Sequence, residues 1–198
     1  MMKKLLLKNI KWYIVIFICS TLIWSFIFNN ITAPKKHEKI DIFITANVVD
    51  KDAITYKINN NNLKQITITN CGENDEYYSA TLETIGIISS DILIVTDDLV
   101  LTEGATTSFI ELEESYMKQF NINLNDFELV YVNETPYAIV VYDESKNINL
   151  LQDYVTFDNK NEVYCIVINN ISVHIGKYAS AENSTLIAFD VIYNLLYK

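Results

Sequence analysis

The side chains of this sequence that could hold a ligand fall directly after three short aliphatic runs. Thr45-Ala46-Asn47 follows Ile40 to Ile44, Thr69-Asn70 follows Gln65 to Ile68, and Thr96-Asp97-Asp98 follows Ile92-Leu93-Ile94-Val95. Hydroxyl, amide and carboxylate groups gathered in this way bind through hydrogen bonds and charge, and they suit a sugar or a cation. Asn47, Asp97 and Asp98 are therefore the candidate ligand-binding residues, and Tyr77 could add a ring on which a sugar stacks. A plainer role for Asp97 and Asp98 is to cap or solvate a loop, and Tyr78 falls at helical spacing with core residues.

No motif for covalent or acid–base chemistry accompanies these groups. Ser89-Ser90, Ser108 and Ser115 lack a Gly-x-Ser-x-Gly elbow, and Gly72, Gly86, Gly104 and Gly176 are too scattered to cradle a phosphate. Glu111, Glu113 and Glu114 crowd one stretch and read as a solvated face, not as a glycosidase pair. His37 and His174 have no Cys or His near them in sequence, so zinc-ligand spacing is missing, and His174 reads as a buried or edge histidine. Spacing leaves open whether Cys71 and Cys165 pair; unpaired, they are small buried hydrophobes. The sequence predicts a non-enzyme with no metal and no cofactor.

The chain has no arginine, so all 15 basic residues are lysines, and its richness in Asn, Ile and Tyr resembles an AT-rich bacterial coding sequence. Beyond residue 34, 11 lysines stand against 25 acidic residues, a net charge of about −14. Such a surface disfavours nucleic acid, which is held by Lys and Arg contacts to phosphate. Without Arg the bidentate clamp on carboxylate or phosphate is also missing, so a neutral or cationic ligand fits better than an anion.

The uninterrupted apolar run Trp12 to Phe28, preceded only by Lys3, Lys4, Lys8 and Lys11 among charged residues, decides where the candidate site works. With Ile10 it rises about 28 Å as a helix, close to the roughly 30 Å of a bilayer's hydrocarbon core. The lysines hold the N-terminus in the cytoplasm and send the remainder outside. A cleaved signal peptide is the rival reading, but the run exceeds the usual apolar region of about 7–15 residues, and Pro34 obstructs cleavage after Ala33. Cys19 follows Ile16-Phe17-Ile18, not the small residue of a lipoprotein signal. The expected organisation is a cytoplasmic basic head over 1–11, a transmembrane signal-anchor over 12–29 in the lipid bilayer, a tether over 30–38 and one extracytoplasmic domain over 39–198.

The elements that must position the candidate residues alternate strand and helix. Ile40 to Thr45 predicts a strand, Asp50 caps a helix to about Ile58, and Gln65 to Thr69 alternates with period two. Asn74 or Asp75 caps a helix carrying Tyr78, Leu82, Ile85 and Ile88 on one face, and Ile92 to Val95 predicts a central parallel strand covered on both sides. Right-handed crossovers then join a parallel sheet. A helix follows over about Phe109 to Phe120, with Phe109, Leu112, Tyr116 and Phe120 on one face. Phe127–Val132 and Tyr137–Tyr142 form a hairpin, and Val163–Ile168 with Ile171–Ile175 form another around Asn169-Asn170. Asn183 or Ser184 starts a last helix with Leu186, Phe189, Tyr193 and Leu196 facing the core. The fold class is α/β, an N-terminal transmembrane helix followed by one mixed, mainly parallel sheet flanked by helices. In such sheets ligands bind outside the carboxyl ends of the strands, where Asn47, Asp97 and Asp98 stand.

In order and spacing the stretches Lys39 to Thr45, Ser90 to Val95 and Pro136 to Asp143 resemble one lobe of the type 2 extracytoplasmic solute-binding proteins of ABC importers. The resemblance spans roughly Lys39 to Asp143 and implies delivery of a solute to an ABC permease or another membrane protein. Those proteins close two lobes over a ligand, whereas about 55 residues remain here after Asp143. Glu162 to Ile168 could instead return as a strand to the first lobe, giving a single-lobe version with one wall of a cleft. A cell-envelope module that binds a protein partner and no small molecule is the alternative.

Overall fold

The computed structural model describes residues 2–101, 105–179 and 184–197, which form two compact units, Met1–Lys35 and Lys36–Lys198. The first is helix α1, Met2–Thr32, continuous through the basic head and into the start of the expected tether. Its segment Ile10–Thr32 has a mean hydropathy of 2.0 over 23 residues, long and apolar enough to cross a membrane. A signal sequence near an N-terminus meets the same criterion. Several polar side chains within it bond back to their own helix: Ser20 and Thr21 donate to the Phe17 carbonyl, Asn30 to that of Phe26 and Thr32 to that of Phe28. Hydroxyls so satisfied lower the cost of leaving water.

The second unit is built on a sheet of seven strands. β1 (Lys39–Ile44), β3 (Gln65–Asn70) and β4 (Ile92–Thr96) are parallel, in the order β3-β1-β4. β9 (Tyr164–Ile168) joins β4 antiparallel, followed by β6 (Thr135–Asp143) and β5 (Leu129–Val132), while β7 (Ile148–Asn149) pairs with the far end of β6. A separate two-stranded ribbon joins β2 (Val48–Val49) to β8 (Val155–Thr156). The expectation of a mainly parallel sheet is thus corrected: only the two pairings of β1 are parallel. The physical reason is that β9 enters antiparallel beside β4, while β5–β6 and β6–β7 are joined by turns too short for a parallel crossover.

Alternation along the strands sorts their side chains onto two faces. Ile92 and Ile94 of β4, with Ile40, Ile42 and Ile44 of β1, enter one apolar cluster; Leu93, Val95 and Phe43 enter the other. Helix α2 (Lys51–Ile58) and the C-terminal helix Ile187–Tyr197 cover the first cluster. Asp50 caps α2 as expected, its Oδ1 accepting from the Ala53 N–H at 2.9 Å. Ile92 to Val95 are fully buried, as a central strand covered on both faces requires.

Several local expectations give way. The helix after β3 starts as α3, Tyr78–Thr81, and continues as a π-helix over Leu82–Ile87. Asp75 does not cap it but bonds the Tyr77 N–H, and the wider π-turn brings Leu82 and Gly86 inward while Ile85 and Ile88 face solvent. Residues 109–112 are extended, because the Ile110 and Leu112 N–H groups bond Ile168 and Pro136 carbonyls; helix survives only as Glu114–Met117 and a 3-10 turn over Lys118–Phe120. Ile171 to Ile175 are turns and not a strand, since β4 and β6 already occupy both edges of β9. The C-terminal helix buries Ala188, Val191, Ile192 and Leu195 along with Phe189, and leaves Leu186 40% exposed. Asn183, one of its two expected starts, lies outside the described residues. The β5–β6 hairpin forms, tightened to a turn at Asn133 and Glu134, both at positive φ.

Candidate functional site

Parallel pairing places the carboxyl ends of β1, β3 and β4 at one edge of the sheet. β9 runs the opposite way, so its first residue, Tyr164, stands opposite Thr96 at this edge. β6 is antiparallel to β9 and ends here too, at Tyr142 and Asp143.

Three of the four candidate residues gather on this edge. Asn47 is exposed just beyond β1, and its N–H donates to Asp158 Oδ2 at 3.2 Å. The turn that carries it is stapled by Asn70, whose Nδ2 donates to the carbonyls of Ala46 and Asn47 at 3.0 and 3.1 Å. Thr45 is buried, with Oγ1 3.3 Å from the Tyr78 hydroxyl. Asp97 is half-buried at the start of a short helix, and its Oδ1 accepts the Asp98 N–H at 3.0 Å. Burial pushes the Asp97 carboxyl above its ordinary value, the Asp98 N–H pulls it back, and the charges of Asp98 and Asp143 add to the rise. Tyr77 stands apart: its ring is 66% exposed, and no hydrogen bond or ring contact ties its side chain to the other three. Tyr78, by contrast, packs against the second core cluster.

Four further residues complete the edge. Glu73 is half-buried, and its carboxyl is pushed up first by burial and then by the charge of Glu162, with Asp158 and Asp98 adding to it. The Tyr164 hydroxyl donates a long bond of 3.5 Å to Glu73 Oε2. Burial first, and then the Glu73 charge, raises that phenol well above its ordinary value, so it remains a donor. Gly72 makes the close packing possible, because a Cβ there would lie 2.3 Å from Asn47 Oδ1 and 2.4 Å from Asp158 Oδ2. Sequence reasoning missed Glu73, Asp158, Glu162 and Tyr164. The available signal was the return strand, whose first residues must reach the edge where β4 ends if it pairs antiparallel.

Among the described residues, Glu73, Asp97, Asp158 and Glu162 enter no ion pair. The result is a ledge of like charges with amide and hydroxyl groups interleaved, an electrostatic environment that favours a cation over an anion. No group of three or more potential ligands arranged for a metal ion occurs among the described residues. Cys71 and Cys165 are both free thiols in the second core cluster. His174 is fully buried, and both ring nitrogens are hydrogen-bonded, to Thr185 and to the Lys39 carbonyl. In comparisons with known proteins, no family model, no curated protein and no solved structure matches this chain.

Proposed function

We propose that this chain is a membrane-anchored extracytoplasmic protein whose α/β domain binds a small solute at the carboxyl-end edge, a cation in preference to a neutral molecule. The observation that carries the reading is the ledge itself: the charges of Glu162, Asp158 and Asp98 act on Glu73, Asn47 and Tyr164 bond Asp158 and Glu73, and among the described residues none of Glu73, Asp97, Asp158 and Glu162 is paired with a lysine. The net charge of about −14 beyond residue 34 draws cations to the domain. Entry of Tyr164–Ile168 into the middle of the sheet supports a single lobe similar to one half of a solute-binding protein, serving an ABC permease or another membrane protein. The apolar segment Ile10–Thr32 supports the anchor, with the lysine-rich head in the cytoplasm.

The test is thermal melting of the full chain in lipid nanodiscs with choline, glucose or glutamate added. Choline should raise the melting temperature by mass action, and Asp97→Asn should diminish that shift while leaving the unliganded value nearly unchanged. No shift with choline, or an equal one with glutamate, overturns the reading. An envelope module that binds a protein is the second reading. It is favoured by Ile88 and Ile171, which are 62% and 52% exposed and line a cleft of about 410 Å³ at the amino end of β4.

A further inference from the structure

A second concavity on the same edge differs in character from the acidic ledge. It lies beyond the carboxyl end of β6, has a volume of about 320 Å³, and is floored by Tyr142, Ile148, Val155 and Phe157. That volume is at the lower end of the range of about 300–1,000 Å³ for small-molecule sites. Tyr142 and Phe157 are buried, with ring centroids 5.0 Å apart.

The polar groups around this floor are Asn147, Asn149, Gln152 and Thr156. All four are exposed, and none of their side chains makes a hydrogen bond within the described residues. Their frame is nevertheless fixed. Asn149 is held opposite Tyr142 by the β6–β7 pairing, and Thr156 opposite Val48 by the β2–β8 pairing. Gln152 follows the fully buried Leu151, whose carbonyl accepts the N–H groups of Tyr154 and Val155, both at 2.9 Å. Side chains projected from a pinned frame lose less freedom on binding than those of a mobile loop.

The charge of the cleft is balanced. Among the described residues the ionic ones that line it are Glu144 and Lys160, whose side chains lie 3.9 Å from one another. What remains is amide and hydroxyl, groups that both donate and accept, over an apolar floor. Such a lining complements a molecule whose own hydroxyls donate and accept and whose ring carbons present an apolar face.

We propose that this cleft binds an uncharged, hydroxyl-rich ligand of the saccharide class, with Asn149 and Gln152 as its principal hydrogen-bonding side chains. The site is separate from the acidic ledge, although Thr156 stands only two residues from Asp158. With Lys160 paired to Glu144 the cleft has no net charge to draw a cation, so the two sites sort their ligands by charge.

Calorimetric titration of the full chain in nanodiscs with glucose, galactose, mannose and N-acetylglucosamine tests this. At least one should bind saturably with a dissociation constant of about 1 mM or tighter. The double variant Asn149→Ala/Gln152→Ala, whose exposed positions leave the melting temperature unchanged, should weaken it by about tenfold or more. Asp97→Asn should leave it unaltered. Failure of all four sugars to bind, or binding equal in the double variant, overturns the proposal. Choline binding that is lost in Asp97→Asn and retained in the double variant would uphold the ledge independently.

Discussion

Ser172 Oγ donates a 2.6 Å hydrogen bond to Asp91 Oδ1, joining residues 81 apart in sequence at the amino end of β4. The other Asp91 oxygen accepts the Asp41 N–H at 2.9 Å, and Ser172 Oγ accepts the His174 N–H at 3.0 Å. The Lys39 carbonyl can only accept, so His174 Nε2 donates to it at 2.6 Å, while Nδ1 stands 2.5 Å from the Thr185 hydroxyl oxygen. The network ties the starts of β1 and β4 to the turn after β9 and to the segment before the C-terminal helix, at the edge opposite the candidate site.

Removing its centre should therefore cost stability. Asp91→Ala leaves the Asp41 N–H and the Ser172 hydroxyl without their acceptor and should destabilise the domain by about 2–4 kcal/mol, against about 1 kcal/mol for Ser172→Ala. Denaturant titration of the full chain measures both. A loss below about 0.5 kcal/mol for Asp91→Ala would show the network to be dispensable.

Ile94→Asp should prevent folding. Ile94 is fully buried between parallel β1 and antiparallel β9, and an aspartate there would bury an unpaired charge. A cooperatively melting Ile94→Asp chain would contradict this.

Gly72→Ala should disturb the ledge more than the stability of the domain, because the added methyl would lie 2.3 and 2.4 Å from the terminal oxygens of Asn47 and Asp158, side chains free to swing aside. Choline binding should weaken in the same variant. Unchanged melting together with unchanged binding would show that the edge yields freely.

The pH profile of stability should be a dome with an acid-side maximum. Burial is the leading cause that raises the carboxyls of Glu73, Asp91, Asp97 and Asp190. Between the ordinary value and the raised one, each binds more protons folded than unfolded, so stability falls as pH rises through that window and returns on acidification. Glu113 behaves oppositely: its bonds from Lys177, Ser115 and Tyr178 hold it at about 2, and its contribution is lost as pH falls through that region. Melting temperature should rise as pH falls from neutrality toward the ordinary carboxylate range, and drop as pH falls on through that range toward about 2. A steady decline from neutrality would refute it.

Local patterns carried the reading where burial and period coincide. The apolar run ending at Phe28, the strands β1, β3 and β4, and the Asp50 cap of α2 were legible because each depends on nearest neighbours and on which positions are oily. The strand ends then placed Asn47, Asp97 and Asp98 on one edge by the geometry of parallel pairing alone. Glu162 to Ile168 was legible as a returning strand, but the meeting of Glu73, Asp158, Glu162 and Tyr164 depends on its entering beside β4, a pairing between residues about 70 apart that local pattern leaves open. The same entry decided the mixed sheet, denied Ile171–Ile175 a partner and drew residues 109–112 into extended form. The π-turn at Leu82–Ile87 likewise reset which apolar residues faced inward. Sequence determines the preferences of each segment, whereas competition among strands for the two edges of a neighbour is settled only when the whole sheet assembles.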